Sequence, residues 1–306
     1  MSATSASAVP VHEIELPLGP PSEGITLRCR VAGPEGAPVL LFLHGFPEAA
    51  FVWDELLAHF GDRYRCVAPH QRGYAGSSAP AEVGAYRARH LVGDLVALIG
   101  LVSPGRPLAA LVAHDWGGAI AWNLAIQQPA SMHRLVIVNS PHPGALLREL
   151  RDSPAQREAS AYMNFLCRPD AAALLCENDH ARLWPFFEHA GGAPWLTPAL
   201  RDRYRAAWGQ GLEGPLNWYR ASPLRPPTEA DPGVAAMTLD DEAWRVRVPT
   251  RVVWGLEDHA LLPGLVHDLG RWIGELTLTT VPGASHWIVH ERPALVAAEI
   301  EAALAG

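Results

Sequence analysis

The chain of 306 residues has no lysine; all 24 of its positive residues are arginine. With the abundant alanine, glycine and proline, this reads as a GC-rich coding bias. No basic block interrupts a net charge of −8, which argues against nucleic acid and anionic membranes as partners. The four cysteines, Cys29, Cys66, Cys167 and Cys176, form no Cys-x-x-Cys pair. His180 follows Cys176, but no second ligand pair completes a zinc pattern, so no metal is expected. All four read as buried free thiols in a reducing compartment, with a Cys167–Cys176 bridge disfavoured. Met1-Ser-Ala-Thr-Ser-Ala-Ser7 lacks the basic and apolar regions of a signal peptide, and no apolar run is long enough for a membrane span. A cytoplasmic location is the default expectation.

What is present is a large apolar fraction, 49% of residues against 18% charged, enough for a sizeable core. Strand and helix signals alternate in the first half. Val11–Leu16, Ile25–Ala32, Val39–Leu43, Tyr64–Ala68 and Leu135–Val138 read as strands. Helical periods cover Phe51–Phe60 and Ala85–Leu101. Such alternation implies a mostly parallel, doubly wound α/β sheet. From Gly144 to Ala235 only helical segments separated by proline and glycine are visible. The alternation returns with strand Thr250–Trp254, helix Leu262–Ile273, strand Leu276–Val281 and helix Ala294–Leu304. The division is a core of residues 1–143 and 236–306 with a helical cap at 144–235.

Leu108–Ala113 is an apolar run that breaks at His114-Asp-Trp116 and restarts as a helix from Gly117. This strand–turn–helix carries the small-x-nucleophile-x-small pattern, with Ala113 and Gly117 small and Asp115 in the nucleophile slot. The helix N-terminus beneath it stabilises negative charge. An aspartate where a serine commonly stands moves the chemistry from acyl transfer to attack on saturated carbon. The bland alternative is a helix-capping Asp. Two later strand ends supply partners in the order nucleophile, acid, histidine. Val252-Val-Trp-Gly-Leu-Glu-Asp258 offers Asp258, with Glu257 its rival, and Val281-Pro-Gly-Ala-Ser-His286 offers His286. His259 and His290 read as incidental among 14 histidines. His44-Gly-Phe-Pro47 follows the strand from which oxyanion donors come. The backbone N–H groups of Phe46 and Trp116 are the expected pair, and Pro47 is a candidate for a cis bond.

Over nearly its whole length the sequence resembles the α/β-hydrolase-fold epoxide hydrolases. His44-Gly-Phe-Pro47, His114-Asp-Trp-Gly117, Gly283-Ala-Ser-His286 and Leu216-Asn-Trp-Tyr-Arg220 carry the likeness. His70 and Ala75 depart from it in the Gln71-Arg-Gly-Tyr loop, where Asp and Gly are usual. The resemblance implies two cap tyrosines that hold the epoxide oxygen, and Tyr162 and Tyr219 occupy those positions. It implies a small hydrophobic epoxide and water as reactants and no cofactor, in a monomer or homodimer. Asp115 would form an alkyl ester, and His286, oriented by Asp258, would activate the water that hydrolyses it. Phe46, Pro47, Trp116 and Trp218 are the candidate pocket walls. Of the insertion tryptophans Trp184, Trp195, Trp208 and Trp218, most read as cap core. The rival readings are a haloalkane or haloacid dehalogenase using the same Asp, and a non-catalytic ligand sensor. Against the first, Phe46 stands where many dehalogenases carry Asn, and Trp116 where fluoroacetate dehalogenases carry Arg. Against the second, neither nucleophile nor histidine is lost.

Overall fold

The computed structural model describes residues 9–188, 192–229, 231–238 and 240–306. The Met1–Ser7 stretch lies outside them. The eight-stranded sheet has the order β1-β2-β4-β3-β5-β6-β7-β8. Its strands are β1 His12–Pro17, β2 Thr26–Ala32, β3 Val39–Leu43, β4 Arg65–Pro69, β5 Ala110–His114, β6 Leu135–Val138, β7 Thr250–Gly255 and β8 Leu276–Val281. β2 runs antiparallel to both β1 and β4, and every pair from β4 to β8 is parallel. β3, β5 and β6 are buried at every position, as continuous apolar strands covered on both faces should be. β1 at the edge is largely exposed.

Helices α1 Asp54–Phe60, α2 Ala88–Val102 and α3 Asp115–Gln127 connect the first strands, and α3 follows β5 with no intervening residue. Between β6 and β7 come α4 Pro143–Asp152, α5 Pro154–Ala159, α6 Tyr162–Leu166, α7 Ala171–His180, α8 Pro198–Trp208 and α9 Glu213–Ala221. α10 Ile288–Glu291 and α11 Pro293–Ala305 end the chain. α2 packs on α3, and α1 on α11. Chain order reverses between β3 and β5, so the loops beyond their C-terminal ends open a crevice, the usual place for a ligand in such sheets. Among the described residues no helix is long and apolar enough to cross a membrane.

Two expectations fail. No α-helix covers Leu262–Ile273; two short 3-10 turns, Pro263–Val266 and Leu269–Arg271, stand there instead. Gly264 and Gly270 weaken a helix, and Asp268 between the turns takes a left-handed φ of 57°. The apolar spacing that imitates a helix comes from Leu265, Val266 and Leu269, all buried. Nor are all the cysteines buried: all four are free, but Cys167 is half-buried and Cys176 exposed on α7.

Candidate active site

The sharp turn from β5 into α3 gives Asp115 a φ of 49°, a left-handed conformation that a non-glycine residue adopts only under constraint. Three glycines permit it. A side chain at Gly45 would collide with the Asp115 carboxylate, one at Gly118 with Ser140, and one at Gly117 would lie 2.5 Å from the Leu43 carbonyl oxygen. Ser140 Oγ donates to the Asp115 carbonyl oxygen at 2.7 Å, fixing the turn from β6. The Phe46 N–H donates to Asp115 Oδ1 at 2.7 Å, and the Phe46–Pro47 bond is cis. The loop after β3 therefore touches one oxygen of the carboxylate.

The other oxygen, Oδ2, faces His286 Nε2 at 3.7 Å. His286 Nδ1 lies 2.7 Å from Asp258 Oδ2. Glu257, the rival, is tied to this region through its backbone N–H, which donates to Ala284. Asp258 is 2% exposed and saturated with donors. Its Oδ1 accepts from the Ala260 and Leu261 N–H groups, and its Oδ2 from Asn139 Nδ2. Burial pushes the Asp258 carboxyl up, but the His286 charge and these hydrogen bonds outweigh it and hold it below the usual carboxylate range. Burial likewise opposes the charge on His286. The Asp258, Asp115 and Glu48 carboxylates overcome it and raise the ring to about 9.

Tyr162 on α6 and Tyr219 on α9 share with Asp115 and His286 the walls of a cavity of about 290 Å³. Their ring centroids are 6.3 Å apart. Tyr219 packs edge-on against Phe46 and Trp116 at 5.3 and 4.9 Å. Burial, reinforced by neighbouring charge from Asp115, raises both phenols above their ordinary value, so each stays protonated at neutral pH. Phe46, Phe186, Trp287 and His259 also line this cavity. Pro47, Trp116 and Trp218, the other pocket candidates, are not among the walls of this cavity. Pro47 does not face the cavity, and its carbonyl accepts from Trp208 Nε1 at 2.7 Å. Trp116 lines a second cavity together with Asp115 and Tyr162. Trp218 is 2% exposed and donates from Nε1 to the Arg72 carbonyl, seating α9 on the Gln71–Tyr74 loop. Gly73 and Gly214 meet at the same seat, where a side chain on Gly214 would sit 2.5 Å from Gly73. Trp184, Trp208, Phe187 and Tyr204 form an aromatic core among the helices.

A buried group behind His286 is absent from the sequence reading. Glu48, 2% exposed, accepts from Tyr204 Oη at 2.8 Å, meets His290 Nε2 at 2.6 Å and meets His114 Nδ1 at 3.1 Å. His114 Nε2 donates to the His286 carbonyl at 2.9 Å, and the two rings lie 4.6 Å apart. Burial opposes ionisation of Glu48, but the His290 charge and these donors hold it far below the usual carboxylate range. His290, expected to be incidental, is thus a partner of the group that supports His286, and Trp195 stacks on it at 4.2 Å. The one local signal is that Glu48 and His114 adjoin the two motif loops.

Comparison with known proteins adds to this geometry. A sequence model described as the alpha/beta hydrolase fold matches residues 38–293. The chain is 35% identical over 279 residues to the AB hydrolase superfamily protein YfhM of Bacillus subtilis, covering 90% of this chain and 93% of that protein. It is 33% identical to Epoxide hydrolase 3 of Mus musculus, covering 89% of this chain and 72% of the mouse protein. A solved structure described as one of novel epoxide hydrolases from metagenomes of hot environments superposes with a TM-score of 0.83 at 38% identity, covering 96% of this chain and 99% of that one. An epoxide hydrolase from Bacillus megaterium, solved with an inhibitor, superposes with a TM-score of 0.84 at 26% identity, covering 92% of this chain and 98% of that one. The chain belongs to the α/β-hydrolase-fold family and, within it, to the epoxide hydrolases.

Proposed function

We propose that this chain hydrolyses small hydrophobic epoxides to vicinal diols through an ester on Asp115. The observation that carries the reading is the placement of two protonated phenols, Tyr162 and Tyr219, on the same cavity as Asp115 and His286. An opening epoxide develops an alkoxide and needs donors beside it. A departing halide needs no proton. The helical segment 144–235 serves as a cap that brings the phenols over the core of residues 1–143 and 236–306.

Asp115 Oδ2 attacks a ring carbon, because Oδ1 is held by the Phe46 N–H. The C–O bond of the ring breaks away from the carboxylate, and the tyrosines donate to the departing oxygen. His286 carries a proton in the resting state, with the Asp115 charge among the causes. Alkylation neutralises Asp115 and removes that cause. The ring then passes its proton to the phenolate left on the tyrosine that protonated the departing oxygen, and takes one from a water between Nε2 and the ester. Asp258 keeps the imidazole oriented throughout. The water attacks the ester carbonyl, whose oxygen is Oδ1. The Phe46 and Trp116 N–H groups stabilise the oxyanion; its collapse breaks the ester C–O bond, the leaving oxygen takes the remaining proton of the added hydroxyl, and the diol departs from a restored Asp115 carboxylate.

Single-turnover hydrolysis in ¹⁸O water tests the ester. Label is expected in the Asp115 carboxylate and not in the first-turnover diol; label in that diol overturns the covalent route. Halide release from bromobutane or fluoroacetate without turnover of styrene oxide would establish a dehalogenase instead. Equal behaviour of the parent and Asp115→Asn toward a chromogenic epoxide would leave only ligand binding.

A further inference from the structure

A further cavity, of about 330 Å³, lies away from the nucleophile. It has no lining residue in common with the cavity beside His286. Elements remote in sequence enclose it: Phe51 and Glu55 at the start of α1, Trp195 and Arg203 before and along α8, and His290 on α10. The volume is enough for a small organic molecule.

The charges on these walls do not balance. Arg203 Nη2 donates to Asp54 Oδ2 at 2.6 Å, and its guanidinium lies over the Phe51 ring at 4.4 Å. Arg30 also binds Asp54, one bond to each carboxylate oxygen at 2.6 and 2.9 Å. Glu55, the next residue, is exposed and has no ion pair among the described residues. Trp195 adds an aromatic wall, stacked on His290 with the ring planes 4° apart. An aromatic ring can pack on such walls while a cationic group meets Glu55. A carboxylate would face two like charges, Asp54 and Glu55, and the one guanidinium on the wall is already committed to Asp54.

His290 connects this cavity to the catalytic base. It is a wall here, and its Nε2 meets Glu48 at 2.6 Å. Glu48 meets His114, which reaches the His286 carbonyl. Tyr204, the residue after Arg203 on α8, donates to the same carboxylate. The Glu48 charge is among those that favour a proton on His286. A cation beside His290 offsets part of that charge and favours the neutral ring.

We propose that this cavity is an effector site for a small aromatic ammonium ion, and that the Glu48 cluster carries its occupancy to His286. The binding stands on the cavity alone, whereas the effect on His286 rests on the epoxide-opening reading. Bound cation is expected to speed hydrolysis of the Asp115 ester.

Phenethylammonium is the probe, with 2-phenylethanol and 3-phenylpropanoate as neutral and anionic counterparts. Calorimetric titration should show the ammonium ion binding at least about threefold more tightly than the alcohol, and the carboxylate more weakly still. Glu55→Gln should weaken the ammonium ion by about threefold, the scale of an exposed ion pair. Ala199→Trp, at an exposed wall position on α8, should fill the space and abolish binding. Both substitutions lie on the surface, and either one that folds decides the matter. Rapid quench with styrene oxide, at a pH where ester breakdown still rises, should give a breakdown rate at least about twofold higher with bound probe. The rate is read as a ratio with and without probe in each protein, and the ratio should return to unity in Ala199→Trp. Equal affinity for the three probes, an affinity unchanged in the folded variants, or binding that leaves ester breakdown unchanged or slower would each overturn the proposal. So would a probe that only raises KM and does so equally in Ala199→Trp, because it sits in the catalytic cavity. A parent that opens no epoxide strikes the epoxide reading, and the binding comparison still decides whether the cation site exists.

Discussion

Tyr204 Oη donates to Glu48 Oε1 at 2.8 Å across 156 residues of chain. Tyr204 belongs to α8 between β6 and β7, and Glu48 to the loop that follows β3. On the far side of the carboxylate, His114 reaches the backbone of His286. One buried anion thus ties the helical segment to the base of the proposed site.

Tyr204→Phe is expected to lower unfolding stability by roughly 1.5–3 kcal/mol, the range for a buried hydrogen bond to a charged group. In a Glu48→Gln background the same change should cost less, because the charge has gone. Chemical denaturation of the four proteins in this double-mutant cycle measures the difference. An identical cost in both backgrounds would show that the charge on Glu48 adds nothing to the bond from Tyr204 Oη.

The pH dependence follows from the charges around His286. In the resting site the ring is raised to about 9, with Asp115 among the causes. In the ester that charge is absent, so the ring titrates at lower pH. Ester hydrolysis needs the neutral ring and should speed up as pH rises, then level off before the resting value is reached. Rapid-mixing tryptophan fluorescence separates ester formation from its breakdown. A breakdown rate that declines as pH rises across this range contradicts the assignment of His286 as base.

Each phenol should matter for ester formation and little for its hydrolysis. Tyr219→Phe or Tyr162→Phe alone is expected to slow alkylation by about 10- to 100-fold, and both together by about a thousandfold or more, within the range for positioned proton donors. Pre-steady-state rates of the three variants give the readout. A double variant that forms the ester at the parental rate would remove the tyrosines from the mechanism.

Stability should also change with pH on both sides of neutrality. Burial lowers His44 to about 3 and His142 to about 4. An unfolded histidine titrates near about 6.5, so as pH falls below that the unfolded chain binds protons the folded one refuses. Each ring then removes about 1.4 kcal/mol per pH unit until its folded value is reached. His286 acts in the opposite sense. Its folded value of about 9 exceeds the unfolded one, so its contribution is complete below the unfolded value and is lost as pH rises through about 9. Urea midpoints should therefore crest near neutrality, and greater stability at about pH 5 than at about pH 6.5 would refute this account.

What the sequence reveals here is what is local. Apolar runs ending in His44-Gly-Phe-Pro47 and His114-Asp-Trp-Gly117 mark strand ends because sterics and burial act over a few residues. The segment Leu262–Ile273 misleads because apolar spacing records burial alone. Gly264, Gly270 and the left-handed Asp268 decide that no helix forms. Glu48 is illegible for another reason: its partners His114, Tyr204 and His290 lie 66, 156 and 242 residues away. Nothing short-range announces that they will meet. Pro47 and Trp218 belong to the motifs, yet they brace the loop and the helix that present Phe46 and Tyr219.

The turn at Asp115 has one more consequence. A left-handed residue with a side chain costs roughly 1–2 kcal/mol, and here that conformation is imposed from outside, by the close glycines and by the Ser140 hydroxyl on the Asp115 carbonyl. The residue at this position does not select its own backbone geometry. The elbow is accordingly a socket, indifferent to the tool fitted in it. Another small nucleophile would be held at the same height above the sheet, so the identity of the attacking atom can change while the architecture around it stays as it is.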